Sequence, residues 1–219
     1  MARRKVAILI SGRGSNMAAL IEAARATDYP AEIALVLANR PDAQGLDRAR
    51  EDGIGTAVVN SREHKSREAF DAALDTTLKS AGIELVCLAG FMRVLTADFV
   101  NAWRDRLINI HPSLLPLFPG LETHAKAIAA GVKIHGCTVH LVRAEVDSGP
   151  IIMQAAVPVL LGDTPDTLAE RVLTAEHRIY PLALSMVADD SIRIVDERVV
   201  VDDPPQETPA QTVISPLFG

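Results

Sequence analysis

The first half of the chain alternates short apolar runs with segments of helical periodicity, and this alternation restricts the possible folds more than any other feature. Apolar residues fill consecutive positions over 6–10 and 33–38, the pattern of strands that are buried on both faces, and 83–89 predicts a further strong strand. The helical segments between and around these strands are 17–26, 44–51 and 67–81. Strands that alternate with helices predict a parallel sheet with crossover helices.

The predicted elements change order in the second half of the chain. After a brief strand at 57–59, a helix at 96–103 and a strand at 106–110, a short helix is expected at 123–130. The strands predicted at 136–142 and 151–157 are separated by only eight residues, too few for a crossover helix, so we expect them to pair antiparallel. A long helix begins at Thr164-Pro165 and continues to about Ala188, with Pro181 as an interruption, before a small hairpin at 192–201.

The predicted fold class is therefore α/β, with a mixed, mostly parallel sheet, helices on both faces and antiparallel strands in the C-terminal half. The 219 residues are enough for one sizeable core. From Asp202 onwards Pro, Gln, Thr and Glu dominate, so we expect 203–219 to form a mobile tail.

Composition excludes several classes of function. The formal net charge of −6 argues against a protein that binds nucleic acid through a broad basic face, and no apolar stretch approaches the length of a membrane span. Cys87 and Cys137 lie in apolar runs and form no CxxC pair, which favours buried, reduced thiols in a cytoplasmic protein over a disulfide or a metal site. We expect no metal, no nucleic acid and no membrane as partners. The oligomeric state, monomer or homodimer, is not readable from the sequence.

The segment Asn109-Ile110-His111-Pro112 places two candidate catalytic side chains, an amide and an imidazole, at the end of a predicted buried strand. Residues two apart in an extended chain point to the same face, so Asn109 and His111 are expected to project side by side. Pro112 restricts His111 to an extended or turn conformation. The alternative is structural: the imidazole caps a turn and the amide satisfies backbone groups. The sequence also leaves open whether the peptide before Pro116 is cis.

A glycine-rich loop, Ser11-Gly12-Arg13-Gly14-Ser15-Asn16, connects the first strand to the first helix. Glycines allow close backbone approach to an anion, and a helix N-terminus offers unpaired N–H groups and a positive dipole end. The loop has neither a third glycine, where Met17 stands, nor a Gly-Lys-Ser/Thr triplet, so it is neither a dinucleotide nor a Walker motif. A site for a compact phosphate remains, alongside the alternative of a tight turn in which Ser15 caps the helix.

Asp147, in a loop rich in Gly and Pro, is a candidate partner for His111. A nearby carboxylate favours a protonated imidazole, and a protonated His beside an Asn amide stabilises a developing oxyanion. No Ser or Cys is placed for nucleophilic attack, so the set suits direct acyl transfer to an amine better than a covalent intermediate. Spacing alone does not prove that Asp147 meets His111, because a lone loop Asp is usually a turn residue.

The segment Leu88-Ala89-Gly90-Phe91-Met92-Arg93-Val94-Leu95 ends the fourth predicted strand. Gly90 marks close backbone approach, and Met92, Val94 and Leu95 could line a pocket for a flat heterocycle. The alternative is ordinary core packing at a strand-to-helix turn.

Together these motifs closely resemble the phosphoribosylglycinamide formyltransferases, folate-dependent enzymes of purine synthesis. The resemblance is carried in the expected order by Ile10–Asn16, Leu88–Arg93, Asn109–Pro116, Phe118–Gly120, Val146–Pro150 and Glu176–Pro181. It implies a Rossmann-like, single formyltransferase domain at 1–202, with a phosphate- and nucleotide-binding half at about 1–105 and a folate-binding and catalytic half at about 106–202.

The resemblance also implies roles for individual residues. Asn109, His111 and Asp147 match the catalytic trio; Gly14, Ser15 and Asn16 match the phosphate site; and Glu176 matches a contact to the glycinamide or ribose part of the ribonucleotide. The residues that would bind the co-substrate 10-formyltetrahydrofolate are Arg67, Met92, Arg93, Val94, Leu95, Asn109, Arg143, Ala144, Glu145, Val146 and Asp147. The expected partners are small-molecule substrates, and the expected reaction is formyl transfer to glycinamide ribonucleotide.

Three competing functions stay open at this point. Methionyl-tRNA formyltransferase is disfavoured because we expect it to have a different glycine loop and a basic C-terminal domain. Formyl-folate hydrolase is disfavoured because we expect it to have an additional N-terminal domain, whereas the first strand here starts at Val6. A non-catalytic sugar-phosphate or folate sensor is disfavoured by the joint presence of Asn109, His111 and Asp147.

Overall fold

The computed structural model describes residues 3–202 and residue 215. The strands in this part of the chain are β1 (Arg4–Ile10), β2 (Ala31–Ala38), β3 (Gly55–Val58), β4 (Leu85–Leu88), β5 (Leu107–His111), β6 (Ile134–Leu141), β7 (Ile151–Pro158), β8 (Ile192–Val195) and β9 (Arg198–Val201). The helices are α1 (Ser15–Ala23), α2 (Gly45–Glu51), α3 (Arg67–Ser80), α4 (Ala97–Ala102), α5 (Thr123–Ala129) and α6 (Pro165–Ala188), with a 3-10 turn at Ser61–Glu63.

The predicted mixed sheet is confirmed. Seven strands form one sheet in the order β3-β2-β1-β4-β5-β6-β7, while β8 and β9 form a separate two-stranded hairpin. The first five strands of the chain pair in parallel, and β6 is antiparallel to both β5 and β7. The short connection between β6 and β7 therefore makes the antiparallel pair that its length indicated.

Two hydrophobic clusters, one on each face of the sheet, explain the continuous apolar runs. In β1, Val6, Ile8 and Ile10 belong to the cluster that includes residues of α1, α2, α5 and α6, whereas Ala7 and Leu9 belong to the cluster that includes residues of α3 and α4. Alternate residues of one strand thus enter different cores. Both faces of β1 are covered, as is usual for a parallel strand.

The differences from prediction lie at element ends. The first helix begins at Ser15 instead of 17 and ends at Ala23 instead of 26, and β4 is shorter than the predicted 83–89. Helix α6 is continuous through Pro181, whose carbonyl accepts a hydrogen bond of 2.7 Å from the Tyr29 hydroxyl. The predicted tail at 203–219 lies outside the described residues, apart from Ser215.

The order of the strands brings the loops after β1 and β4 together beyond the carboxyl ends of these strands. Strands β1 and β4 are adjacent and parallel, and the chain leaves them towards opposite sides of the sheet order. This is a topological switch point, where open α/β sheets bind their ligands beyond the carboxyl ends of the strands. The loops after β1 and β4 are joined there, because the Ser11 N–H donates to the Gly90 carbonyl and the Met92 N–H donates to Ser11 Oγ.

No helix within residues 3–202 combines the length and the apolar character needed to cross a membrane.

The close approach of β6 to β7 gives a test of the packing beside the site. A Cβ at Gly136 would lie 1.9 Å from the Ala155 carbonyl oxygen and 2.9 Å from Leu114 Cδ2. We expect Gly136→Ala to lower the free energy of unfolding by about 1–3 kcal/mol or more, since the added atom must displace backbone.

Gly12→Ala is the matched control for urea unfolding of both variants, because a Cβ at Gly12 meets no heavy atom within 4 Å. Equal stability of the Gly136→Ala variant and the parent chain would contradict the register described for β6 and β7.

Candidate active site

The C-terminal end of β5 carries Asn109 and His111 on one face of the sheet. Across the antiparallel ladder, Asn109 is the partner of His140 and His111 is the partner of Thr138. His111 is only 5% exposed, while Asn109 is half-buried. The two side chains therefore project to the same side, as their spacing predicts.

The His111 ring lies between two acceptors. Its Nδ1 is 3.3 Å from Asp147 Oδ1, and its Nε2 is 3.0 Å from the carbonyl oxygen of Phe118. A neutral imidazole has one N–H, whereas an imidazolium has two, so these surroundings suit the protonated ring. The prediction that Asp147 meets His111 in space is confirmed, and the alternative that Asp147 is only a turn residue is wrong.

Asp147 also fixes the chain segment that follows β5. Its second carboxyl oxygen, Oδ2, accepts a hydrogen bond of 2.7 Å from the Gly120 backbone N–H. With the contact from His111 to Phe118, this closes a ring of three polar contacts that runs through His111, Phe118–Gly120 and Asp147. The imidazole is thus held on both sides by the same short segment and one carboxylate.

The local backbone explains how Asp147 reaches the ring. Asp147 adopts a left-handed conformation (φ 52°), and Gly149 follows with φ 113°. A Cβ at Gly149 would lie 2.2 Å from the Leu141 carbonyl oxygen, so only glycine allows the loop to return this close to β6. The loop between β6 and β7 thereby folds back towards the end of β5.

Thr138 holds the segment on the other side of His111. Its hydroxyl donates to the Ser113 carbonyl at 2.7 Å and accepts from the Leu115 N–H at 3.0 Å and from Gln154 Nε2 at 2.9 Å. The peptide between Leu115 and Pro116 is cis. The chain after His111 is therefore fixed against β6 by side-chain hydrogen bonds.

The glycine loop ends at the N-terminus of α1. Gly14 occupies the N-cap position with φ 72°, and no described side chain caps this end of the helix. The alternative that Ser15 is the cap is wrong, because Ser15 is already the first helical residue. The first N–H groups of α1 are therefore available to an anion, which suits the predicted phosphate site.

Asn16 and Glu176 meet in a buried contact between α1 and α6. Asn16 Nδ2 donates to Glu176 Oε2 at 2.7 Å, and both side chains are buried. Burial raises the pKa of Glu176, and the hydrogen bond from Asn16 opposes this shift. The described part of the chain gives the Asn16 amide oxygen no hydrogen-bond partner, although it is buried. An unpaired buried acceptor of this kind is costly unless a ligand or water satisfies it.

The predicted folate residues after β4 are partly exposed. Met92 and Val94 are 64% and 54% exposed, whereas Leu95 is buried in the core. The Arg93 guanidinium lies over the ring of Phe70, 5.3 Å from its centroid, and the exposed Arg67 opens α3 one residue after the cap Ser66. Exposed apolar side chains beside the switch point can pack against a flat ligand.

The second predicted folate segment is 143–147. The Arg143 side chain is held away from solvent by ion pairs to Glu197 (2.5 Å) and Asp105 (2.7 Å). Ala144, Glu145 and Val146 are exposed. The side chain of Arg143 is thus engaged within the protein, while the residues after it are open to a ligand.

The sequence analysis did not identify three groups that contact the trio, namely the Phe118 carbonyl, the Gly120 N–H and the His140 ring. The Phe118 carbonyl and the Gly120 N–H act through backbone, so residue type does not reveal them. His140, whose Nε2 lies 3.1 Å from Asn109 Nδ2, had a signal: with Thr138 it puts polar residues on one face of an otherwise apolar strand. Within residues 3–202, no group of three or more His, Cys, Asp or Glu side chains is arranged to hold a metal ion.

Known proteins are similar to this chain in both sequence and fold. A family model described as formyl transferase matches residues 4–184. Phosphoribosylglycinamide formyltransferase of Escherichia coli (strain K12) is 44% identical over 204 residues, which cover 92% of this chain and 96% of that protein. The crystal structure of glycinamide ribonucleotide transformylase 1 from Symbiobacterium toebii has a TM-score of 0.89 and 47% identity, covering 92% of this chain and 95% of that one.

A longer relative contains a similar region. The trifunctional purine biosynthetic protein adenosine-3 of Bos taurus is 49% identical over 192 residues, which are 88% of this chain but 19% of the bovine protein. This chain therefore spans about a fifth of that relative's length.

The pKa shift of Glu176 gives a pH-dependent test of the buried contact. An acid whose folded pKa is raised contributes stability that is complete below its unfolded pKa, about 4.3, and that is lost as pH rises through the folded pKa. Glu176→Gln keeps a carbonyl acceptor for Asn16 but does not ionise. We expect the stability of the variant relative to the parent to increase from about pH 5 to about pH 8 in urea unfolding.

A stability difference that is the same at every pH would contradict the burial assigned to this carboxyl group.

Proposed function

The chain belongs to the formyl transferase family and, within it, to the phosphoribosylglycinamide formyltransferases, and we propose that it transfers a formyl group from 10-formyltetrahydrofolate to the amine of glycinamide ribonucleotide in de novo purine synthesis. The observation that best supports this reaction is the contact between His111 and Asp147 at the strand end that also carries Asn109. These groups can stabilise a tetrahedral oxyanion without a covalent enzyme intermediate.

In the proposed reaction, the free amine of the ribonucleotide attacks the formyl carbon of the folate. Holding both substrates in one cleft supplies much of the acceleration, because well-oriented reactants reach effective molarities of about 10⁵ M or more. The new N–C bond forms as the carbonyl becomes an oxyanion. The intermediate then releases the folate nitrogen, and the formyl group stays on the ribonucleotide.

Asn109 and His111 are assigned to the oxyanion. The carbonyl of Phe118 accepts from His111 Nε2 at 3.0 Å, and the formyl oxygen is expected to take its place when the folate binds. An oxyanion is a stronger acceptor than a neutral carbonyl, so this exchange favours the tetrahedral state over the ground state. The carboxylate of Asp147 stabilises the positive charge on the imidazole while the oxyanion forms.

Asp147 is also assigned to proton transfer. The attacking amine must lose a proton and the leaving folate nitrogen must gain one. Asp147, through a water molecule, accepts the first proton and returns it to the leaving nitrogen, so that no net proton is consumed.

Substrate binding is divided between the two sides of the switch point. The N–H groups at Gly14, Ser15 and Asn16 bind the phosphate, which fits the uncapped N-terminus of α1, and Glu176 contacts the ribose or glycinamide part. The folate is assigned to the surface formed by Arg67, Met92, Arg93, Val94, Leu95, Asn109 and the segment 143–147.

This proposal includes one domain at 1–202, with halves at about 1–105 and 106–202. It also includes small molecules as the only partners, a monomer or homodimer, no metal and a cytoplasmic location. The location is supported by Cys87 and Cys137, which are free and buried, with thiol pKa values that burial raises to about 12.

A formyl-transfer assay with and without the ribonucleotide tests the reaction itself. We expect tetrahydrofolate to form only when glycinamide ribonucleotide is present, because the amine is the acceptor. Formate release without the ribonucleotide would identify a hydrolase, and ligand binding with no turnover would identify a sensor.

Separate substitutions test the assigned catalytic groups. We expect His111→Ala and Asp147→Asn each to lower kcat by about 10²–10³, the range for removing one group that stabilises an oxyanion. Asp190→Asn is the matched control, because Asp190 is also an aspartate with a left-handed backbone but lies at the end of α6, paired with Arg4. Near-full turnover in a folded His111→Ala or Asp147→Asn variant would overturn the assignment.

A further inference from the structure

His140 lies next to the proposed catalytic groups but has no assigned role in the proposed reaction. It is 1% exposed and is the ladder partner of Asn109 on the neighbouring strand β6. Its Nε2 is 3.1 Å from Asn109 Nδ2, and its Nδ1 is 3.1 Å from the Leu141 carbonyl oxygen. Both ring nitrogens therefore have partners inside the protein.

The two contacts determine the tautomer of the ring. A carbonyl oxygen only accepts, so Nδ1 must carry the proton that is donated to Leu141. In a neutral ring, Nε2 is then an acceptor, and the group that faces it must be the Asn109 NH₂ and not the amide oxygen. Burial lowers the pKa of His140 and outweighs the opposing effect of the Leu141 carbonyl. The lowered pKa keeps the ring neutral near pH 7.

We infer that His140 is a positioning residue, which fixes the Asn109 carboxamide so that one N–H is anchored and the other stays directed at the oxygen of the transferred formyl group. This inference rests on the proposed function. A 180° flip of the amide would place its oxygen against the lone pair of Nε2, which is repulsive. The acceptor on His140 therefore excludes the orientation in which Asn109 would repel an oxyanion.

The position of His140 also explains why the restraint is rigid. The Leu141 N–H donates to the Pro150 carbonyl at 2.9 Å, and the Leu141 carbonyl faces Gly149, so the residue that accepts from Nδ1 is itself bound to the loop that carries Asp147. His140 thus connects the amide on β5 to the base of the carboxylate's loop. Preorganised donors of this kind lose little orientation on reaction.

A matched pair of variants separates the acceptor from the bulk of the side chain. His140→Gln keeps an acceptor oxygen near the position of Nε2, whereas His140→Met has a similar length but no strong acceptor. We expect His140→Met to lower kcat about 10–100-fold, with KM for both substrates within about twofold, and His140→Gln to recover most of the loss.

Two controls test the route of the effect. In an Asn109→Ala background, His140→Met is expected to cause less than about a twofold further loss, because the two residues act as a unit. Val139→Ala disturbs the same strand on its opposite, buried face and is expected to leave kcat unchanged. Equal losses for His140→Gln and His140→Met, or an unchanged kcat in His140→Met, would overturn the inference.

A measurement on the unaltered chain does not depend on activity or on a variant's folding. Two-bond ¹H–¹⁵N correlation spectra of histidine-labelled protein distinguish a protonated from an unprotonated ring nitrogen. We expect His140 to be protonated on Nδ1 and unprotonated on Nε2; the opposite tautomer would overturn the inference. Absence of ribonucleotide-dependent transfer in the parent chain would instead defeat the proposed function, while the spectrum would still report the tautomer of His140.

Discussion

The rest of the site depends on the two contacts that the Asp147 carboxylate makes with His111 and with Gly120. One oxygen faces His111 Nδ1 at 3.3 Å, and the other accepts from the Gly120 N–H at 2.7 Å. A single side chain thus joins the end of β5, the segment after it and the loop between β6 and β7. Because the group is charged and largely buried, it needs these donors, and they in turn fix the direction of the imidazole.

The sheet makes this meeting possible by combining two kinds of strand pairing. The parallel strands β1, β4 and β5 bring the glycine loop, the exposed Met92 and Val94, and the end of β5 to one edge. The antiparallel pair of β5 with β6 then places His140 and Thr138 directly beside Asn109 and His111. A purely parallel sheet would put a crossover helix where the chain instead returns Asp147 to the site.

The sequence predicted the architecture well because burial on two faces leaves a local signature. The run at 6–10 needs no knowledge of its neighbours to be recognised as a strand, and the eight residues between the predicted strands at 136–142 and 151–157 exclude a helix by length alone. Asn109 and His111 were found for the same reason, since two polar residues interrupt an apolar strand at alternate positions. The resemblance of the motifs to a family supplied the link to Asp147, which spacing alone could not.

What the sequence did not reveal depends on long-range register or on backbone groups. His140 becomes meaningful only when the ladder pairs it with Asn109, and Phe118 and Gly120 act through a carbonyl and an N–H that every residue possesses. The cap of α1 was missed because Gly14 in a left-handed conformation replaces the side-chain cap that Ser15 suggested. The backbone contacts of Phe118 and Gly120 and the pairing of His140 with Asn109 follow from the folded geometry and not from residue type alone.

The most direct test of this account is a crystal structure of the chain with glycinamide ribonucleotide and a folate analogue whose carbonyl group cannot be transferred. We expect the phosphate at the N-terminus of α1 and the analogue's carbonyl oxygen within about 3.2 Å of Asn109 Nδ2 and His111 Nε2, with Asp147 still in contact with the imidazole. A complex in which both substrates bind while that oxygen lies remote from His111, or in which Asp147 has left the ring, would contradict the central role given to this contact.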